Sequence, residues 1–238
     1  SALFEPGMWP KTVTLDNYIS LFTLAEQPFG RHILNSVMVS VLVVSLSLFI
    51  GVTASFALGR ISFKGRGLLL LTVLAVSMFP QVAVLAGMFE LIRFLGIYNK
   101  ALGLVLPYMI FTLPFTVWVL TTFMKQLPKE LEEAAIMDGC GPWRIIKDVF
   151  MPLLWPALVS TGLLAFIAAW NEFLFAVVLV SEPGLRTLPI GIRAYMGDYF
   201  QDIGMIATGM MIAVIPVLIV YAFFSEKLIQ GMTAGAVK

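Results

Sequence analysis

Long runs without a charged residue decide what this chain can fold into. Residues 33–59 carry no charge between Arg31 and Arg60, 67–89 none between Arg66 and Glu90, and 101–124 none between Lys100 and Lys125. A fourth apolar stretch, 153–180, is interrupted only by Glu172, and a fifth, 203–225, lies between Asp202 and Glu226. A helix needs about 20 mostly apolar residues to cross the hydrocarbon core of a bilayer, and each run is long enough. A soluble helical core is the competing explanation, but 60% of the 238 residues are hydrophobic and 12% are charged. Soluble domains are roughly 45–50% apolar. The expected fold class is all-α: a polytopic membrane protein with five transmembrane helices, solvated by lipid.

Composition also narrows the chemistry. A net charge of +1 gives no footprint for nucleic acid. The single cysteine, Cys140, excludes an internal disulfide and a thiolate metal cluster, and the single histidine, His32, lacks the partners of a triad or a zinc site. No G-x-x-x-x-G-K-[ST] loop is present, so the chain is not expected to hydrolyse ATP.

Lysine and arginine in the short loops set the orientation. The loops 60–67 and 125–152 with the tail 226–238 hold nine basic residues in 49, against six in 65 for 1–32, 90–100 and 181–202. The first set is expected to be cytoplasmic. The expected domains are an external N-terminal loop (1–32), a membrane domain (33–225) and a cytoplasmic tail (226–238). Five spans ending inside begin outside, so a sixth span upstream of Ser1 is expected.

The segment Lys125–Pro152 reads as two short helices joined by a tight turn. Pro128 suits a helix start. Glu130, Glu132 and Glu133 favour the positive end of the helix dipole. Leu131, Ala134 and Ala135 share a small apolar face. Gly139 can take the left-handed conformation that closes a helix. Gly141 and Pro142 open a second helix with Trp143, Ile146 and Phe150 on one face, and Pro152 ends the loop. By itself this is either an ordinary surface hairpin or a docking element.

The run Glu133-Ala134-Ala135, then Gly139, then Val149-Phe150-Met151-Pro152 resembles the EAA signature of binding-protein-dependent importer permeases. Spacing matches throughout, with Val149 and Met151 standing where the pattern has Ile and Leu. The resemblance implies the permease fold of type I ABC importers. It also implies that this loop is a coupling helix seated in an ATP-binding subunit, with Glu133, Ala134, Ala135, Asp138 and Gly139 at the contact. Thr14–Phe22 is similar to the external segment after the first span of sugar permeases. Ala169–Ala176 (AWNEFLFA) resembles a run in their penultimate span. The tail Leu228–Lys238 resembles the end of the second permease of the maltose importer, which implies ATPase contacts through Gly231, Thr233 and Gly235. Implied partners are two ATP-binding subunits, a sister permease and an external sugar-binding protein in a bacterial inner membrane. ATP and magnesium belong to the partners, and no cofactor is expected in this chain.

An ionisable residue at membrane depth usually faces a cavity or a partner, and Glu172 is the one well inside a span. With Trp170 and Asn171 it offers hydrogen-bonding groups and an aromatic face for a sugar. The alternative is that the three lock the span to a neighbouring subunit. Pro80 frees a backbone carbonyl and permits a kink in the second span, with Gln81 either in the pathway or packed away. His32 marks the outer end of the first span. A secondary transporter would show repeats and several buried carboxylates, and a membrane enzyme a polar cluster; neither pattern is evident. A permease for a non-sugar solute stays open.

Overall fold

The computed structural model describes residues 14–24, 27–196 and 202–234, with side chains as far as Phe224. Every regular element among them is helical. The order is α1 (Asp16–Thr23), α2 (Phe29–Arg60), α3 (Arg66–Ser77), α4 (Gln81–Phe94), α5 (Leu102–Gln126), α6 (Glu130–Met137), α7 (Pro142–Arg144), α8 (Met151–Trp170), α9 (Leu174–Leu179), α10 (Leu188–Arg193) and α11 (Ile203–Ala234). A π-helical turn, Ile145–Phe150, joins α7 to α8, and a 3₁₀ turn, Pro183–Leu185, precedes α10.

The bundle is organised around α2 and α5, and small residues explain why. The buried face of α2 carries Ser36, Ser40, Ser47, Gly51 and Ser55 at helical spacing. In lipid there is no hydrophobic drive between helices, so association rests on close backbone approach and buried hydrogen bonds. Ser47 and Thr112 share a hydroxyl–hydroxyl bond of 3.1 Å across the pair. A Cβ on Gly51 would stand 2.7 Å from Thr116 Cγ2, so only glycine fits there. Gly51→Leu is therefore expected to push the two helices apart and destabilise the fold by about 1–3 kcal/mol. Thermal unfolding in detergent checks this; a midpoint equal to the parent's would mean that the pair is not closely packed.

On this pair rest α8 and then α11, with α3 against α5. Large apolar side chains stay exposed on the outside, among them Leu34, Leu68, Val82 and Phe223. Such a surface belongs in lipid or against other membrane subunits.

Several expectations from sequence need correction. The run 67–89 is not one straight helix. It forms α3 and the start of α4, bent by 94° at the break before Gln81. Pro80 takes an extended ψ of 128° and cannot carry α3 onward. At 12 and 14 residues, each half is shorter than the ~30 Å core at ~1.5 Å per residue. Among the described residues, four single helices meet the length and apolarity of a span, or five with the bent pair counted as one.

The run 153–180 is not one helix either. The helical segment starts at Pro142, far before Leu153, and stops at Trp170. Pro152 does not end the loop. It sits in the first turn of α8, where a missing N–H is harmless, and the π turn before it keeps the chain helical through the junction. That turn also rotates the face on which Trp143 was expected. Ile146 and Phe150 are buried, but Trp143 is exposed, edge-on to Phe49 at 6.1 Å.

The segment 1–32 is more than a loop. It contains α1, whose Leu21 is wholly buried and whose Tyr18 hydroxyl donates to Met211 Sδ of α11 (3.6 Å), and α2 begins at Phe29.

Among the described residues, the loops 60–67 and 125–152 meet at one end of the bundle, and the start of α2, Asn99 and the 181–188 segment meet at the other. At one end Arg60 Nη2 donates to the carbonyl oxygen of Leu127 (2.8 Å). At the other, His32 Nε2 pairs with the carbonyl oxygen of Pro183 (2.8 Å), Asn35 Nδ2 donates to the carbonyls of Gly184 and Arg186 (3.0 Å each), and Ser36 Oγ accepts from Leu188 N (2.7 Å). Asn99, at a left-handed φ of 56°, joins the same end by accepting from the N–H groups of Ser181 and Glu182. The residues that hold α2 to the 181–188 loop are thus the polar residues of its first turns.

Candidate coupling surface and membrane pathway

The hairpin at the Arg60 end is built from α6 and the turn after it. Three glutamates occupy the first turn of α6, where the exposed N–H groups favour negative charge. The helix closes with paired bonds: Cys140 N–H donates to Ala135 O and Gly139 N–H to Ile136 O, both 2.9 Å. Gly139 has φ +76°. This is a Schellman closure, the role the sequence assigns to Gly139.

Only part of the expected apolar face turns inward. Ala135 is buried with Ile145, Ile146 and Phe150, while Leu131 and Ala134 are exposed. Helical rotation of about 100° per residue separates the two alanines: one seats the hairpin on the bundle and the other faces away. Glu133, Ala134, Met137 (87% exposed), Asp138 and Gly139 thus form one outward surface, of which Met137 is the largest apolar member.

Arg60 was not marked as a site residue by the sequence reading. Its side chain is 3% exposed and reaches from the end of α2 into the hairpin. Besides Leu127 O it approaches Pro128 O (3.5 Å) and Glu132 Oε2 (3.8 Å), and its guanidinium lies 4.8 Å from the centre of the Phe150 ring. One planar cation therefore ties α2, the α5–α6 link, α6 and the π turn. Arginine suits this because its fork of donors is rigid and its face stacks on aromatic rings. The available signal in sequence was a charge terminating a span immediately before a short loop, which marks most span ends.

The second region is the break between α8 and α9. Trp170 is buried, stacks on Phe166 at 5.7 Å, and donates from Nε1 to Ala213 O of α11 (3.2 Å). The lock expected toward a neighbouring subunit is made here within the chain. Glu172 closes the broken end: its carboxylate accepts from Phe175 N (2.8 Å) and Ala176 N (3.2 Å), two of the free donors in the first turn of α9. It also lies beside the buried Tyr108 hydroxyl, which has Thr187 on its other side and makes no hydrogen bond of good geometry. Asn171 is exposed, and its Nδ2 donates to Ile167 O (2.8 Å).

So the three neighbours in sequence point three ways: Trp170 to α11, Glu172 to α9 and Tyr108, Asn171 outward. Trp170 and Asn171 border a common cavity, which Glu172 and Gln81 do not. Gln81 is exposed at the start of α4. Glu172→Ala removes the acceptor for two N–H groups at membrane depth and is expected to destabilise the fold by about 1–2 kcal/mol, with Glu172→Gln milder. Comparing detergent melting midpoints checks the order; equal losses would remove the capping role.

Of the expected tail contacts, Gly231 and Thr233 belong to the helical backbone of α11, and Gly235 lies outside the described residues.

The chain as a whole has counterparts among known proteins. Residues 47–233 match the family model described as binding-protein-dependent transport system inner membrane component. The chain belongs to that family. As a permease component of an inner-membrane transport system it has curated relatives along almost its whole length. It is 38% identical over 98% of its residues to the sulfoquinovosyl glycerol transport system permease SmoH of Agrobacterium fabrum, covering 82% of that protein. It is likewise 38% identical over 94% to the trehalose/maltose transport system permease MalG of Thermococcus litoralis, covering 81%. The permease fold is shared with a chain of a bacterial ABC transporter that imports the acidic polysaccharide alginate, at a TM-score of 0.81 and 21% identity over 95% of this chain and 85% of that one. A chain of the inward-facing methionine transporter MetNI has the same fold at a TM-score of 0.68 and 17% identity, covering 85% of this chain and 95% of that one.

Proposed function

We propose that this permease forms half of the channel of an ATP-driven carbohydrate importer and takes up ATPase motion through α6. The observation that carries the coupling role is the hairpin itself. Gly139 closes it, Ala135 seats it, Arg60 bolts it to α2, and its outward surface of Glu133, Ala134, Met137, Asp138 and Gly139 is exposed among the described residues. A bolted lever transmits displacement, whereas a floppy loop absorbs it.

The carbohydrate reading is supported by relatives whose names carry sulfoquinovosyl glycerol, trehalose, maltose and diacetylchitobiose. Two ATP-binding subunits, a sister permease and an external binding protein complete the assembly. ATP and magnesium are held by the ATPase subunits, and this chain itself is not an enzyme. In the proposed cycle a binding protein delivers the sugar to the His32 end. ATP-driven closure of the ATPases moves both coupling hairpins and opens the channel outward, and hydrolysis returns it to the inward-open state.

The test is uptake into proteoliposomes holding the full assembly. Labelled trehalose, maltose and anionic glycosides should accumulate only with ATP inside and binding protein outside. Uphill accumulation by this chain without ATPase subunits would sink the reading.

A further inference from the structure

Between α8, α10 and α11 lies a cavity of about 580 Å³, lined among others by Trp170, Asn171, Phe173, Arg193 and Val217. Its walls are apolar except at Asn171 and Arg193. Its lining on α11 runs from Met210 to Val217, so the cavity extends ~10 Å along that helix at ~1.5 Å per residue. It adjoins the gap between Trp170 and Leu174, where the span is broken. Non-helical backbone at membrane depth is tolerated where it is buried in protein or lines a cavity, and broken helices of this kind hold the solute in many transporters.

The guanidinium of Arg193 makes no hydrogen bond and no ion pair among the described residues. Among the described residues, the carboxylates of the neighbouring segments are committed elsewhere. Glu172 caps α9, and Asp202 Oδ1 accepts from Met205 N (3.0 Å) and faces Tyr195. Arg193 is exposed at the rim of this apolar cavity, and its guanidinium is free of any anionic partner among the described residues.

We propose that the cavity is a subsite for an oxyanion-bearing glycoside. The Arg193 fork takes a carboxylate or sulfonate, Asn171 Oδ1 accepts from a ring hydroxyl, and half-buried Phe173, with Trp170 behind it, faces the sugar ring. Two oxygens on one planar group match the two parallel donors of a guanidinium. An aromatic face meets the apolar face of a pyranose. This inference rests on the carbohydrate reading and deepens it.

The experiment uses the complete importer with its binding protein, in phosphatidylcholine vesicles with and without phosphatidylglycerol. Uptake of sulfoquinovosyl glycerol and of a glucuronate-containing disaccharide is measured beside trehalose and maltose. The parent should take up at least one anionic glycoside. Arg193→Gln should lower the ratio of anionic to neutral uptake by about tenfold or more, and Arg193→Lys, which keeps the charge without the fork, by less. Because the same binding protein serves every variant, a change in ratio belongs to the permease.

Equal loss of both classes would overturn the proposal in favour of a docking or packing role. A loss confined to phosphatidylglycerol vesicles would assign Arg193 to a lipid headgroup instead. Uptake of neutral sugars alone by the parent would overturn the anionic subsite and leave the carbohydrate reading standing. No uptake of any glycoside would overturn the carbohydrate reading itself.

Discussion

Gly139→Val should leave ATP hydrolysis running in the assembled importer while solute uptake falls by about tenfold or more. Gly139 holds φ +76°, where a β-branched side chain costs about 1–2 kcal/mol or more. No described residue lies within 4 Å of the place its Cβ would occupy. The substitution therefore has no internal clash, and its effect must come from backbone strain or from a partner against that surface. Strain releases the bonds from Cys140 N–H and Gly139 N–H to Ala135 O and Ile136 O, so α6 frays where it should be rigid. Gly139→Asn separates the two causes, because asparagine tolerates the left-handed region. Coupling kept by asparagine and lost by valine identifies rigidity of the hairpin. Coupling lost by both, with unchanged melting midpoints, identifies a close-fitting partner. Full uptake by the valine variant would remove the lever role from the hairpin.

Arg60→Ala is expected to lower stability by about 2–4 kcal/mol and to uncouple hydrolysis from transport. The arginine is 3% exposed and satisfies the carbonyl oxygen of Leu127 at 2.8 Å while sitting against Phe150. A charge-assisted hydrogen bond contributes about 1.5–3 kcal/mol. The cation–aromatic contact adds about 0.5–2. The Glu132 contact, at 3.8 Å and with Glu132 21% exposed, is long and partly solvated and adds less than about 1. Arg60→Lys keeps the charge but can neither fork nor stack, so it should recover part of the stability and little of the coupling. Detergent melting curves and the ratio of sugar taken up to ATP consumed measure the two effects. A stable, fully coupled alanine variant would mean that α6 is held by Ala135 alone.

How much of this was legible in the chain differs by region. The apolar runs specify that helices cross a membrane, because lipid leaves the backbone few other options. The closing turn of the hairpin and its acidic start were legible, since Gly139 and the three glutamates of α6 act through local rules of helix capping and dipole, whereas the inward faces of α6 and α7 were only partly so. The membrane polar residues were not. Trp170, Asn171 and Glu172 are adjacent, yet which of them faces a cavity depends on the break before Leu174, and hence on what α9 and α11 offer. Arg60 escaped notice because its partners Leu127, Glu132 and Phe150 are 67, 72 and 90 positions away. No local pattern encodes contacts at such separations.

Solvent, span count to within the bent pair, and the closing glycine of the inner hairpin came from residue type and short-range spacing alone. Those properties follow from hydration and backbone sterics, which act over a few residues. Tertiary structure alone decided how sharply the chain turns at the Pro80 break, that the fourth span starts at Pro142 and stops at Trp170, that Glu172 serves as a cap, and that Arg193 stands beside a cavity with no partner among the described residues. Each of those depends on which donor, ring or void another helix brings alongside, and that is set by packing between segments far apart in the chain.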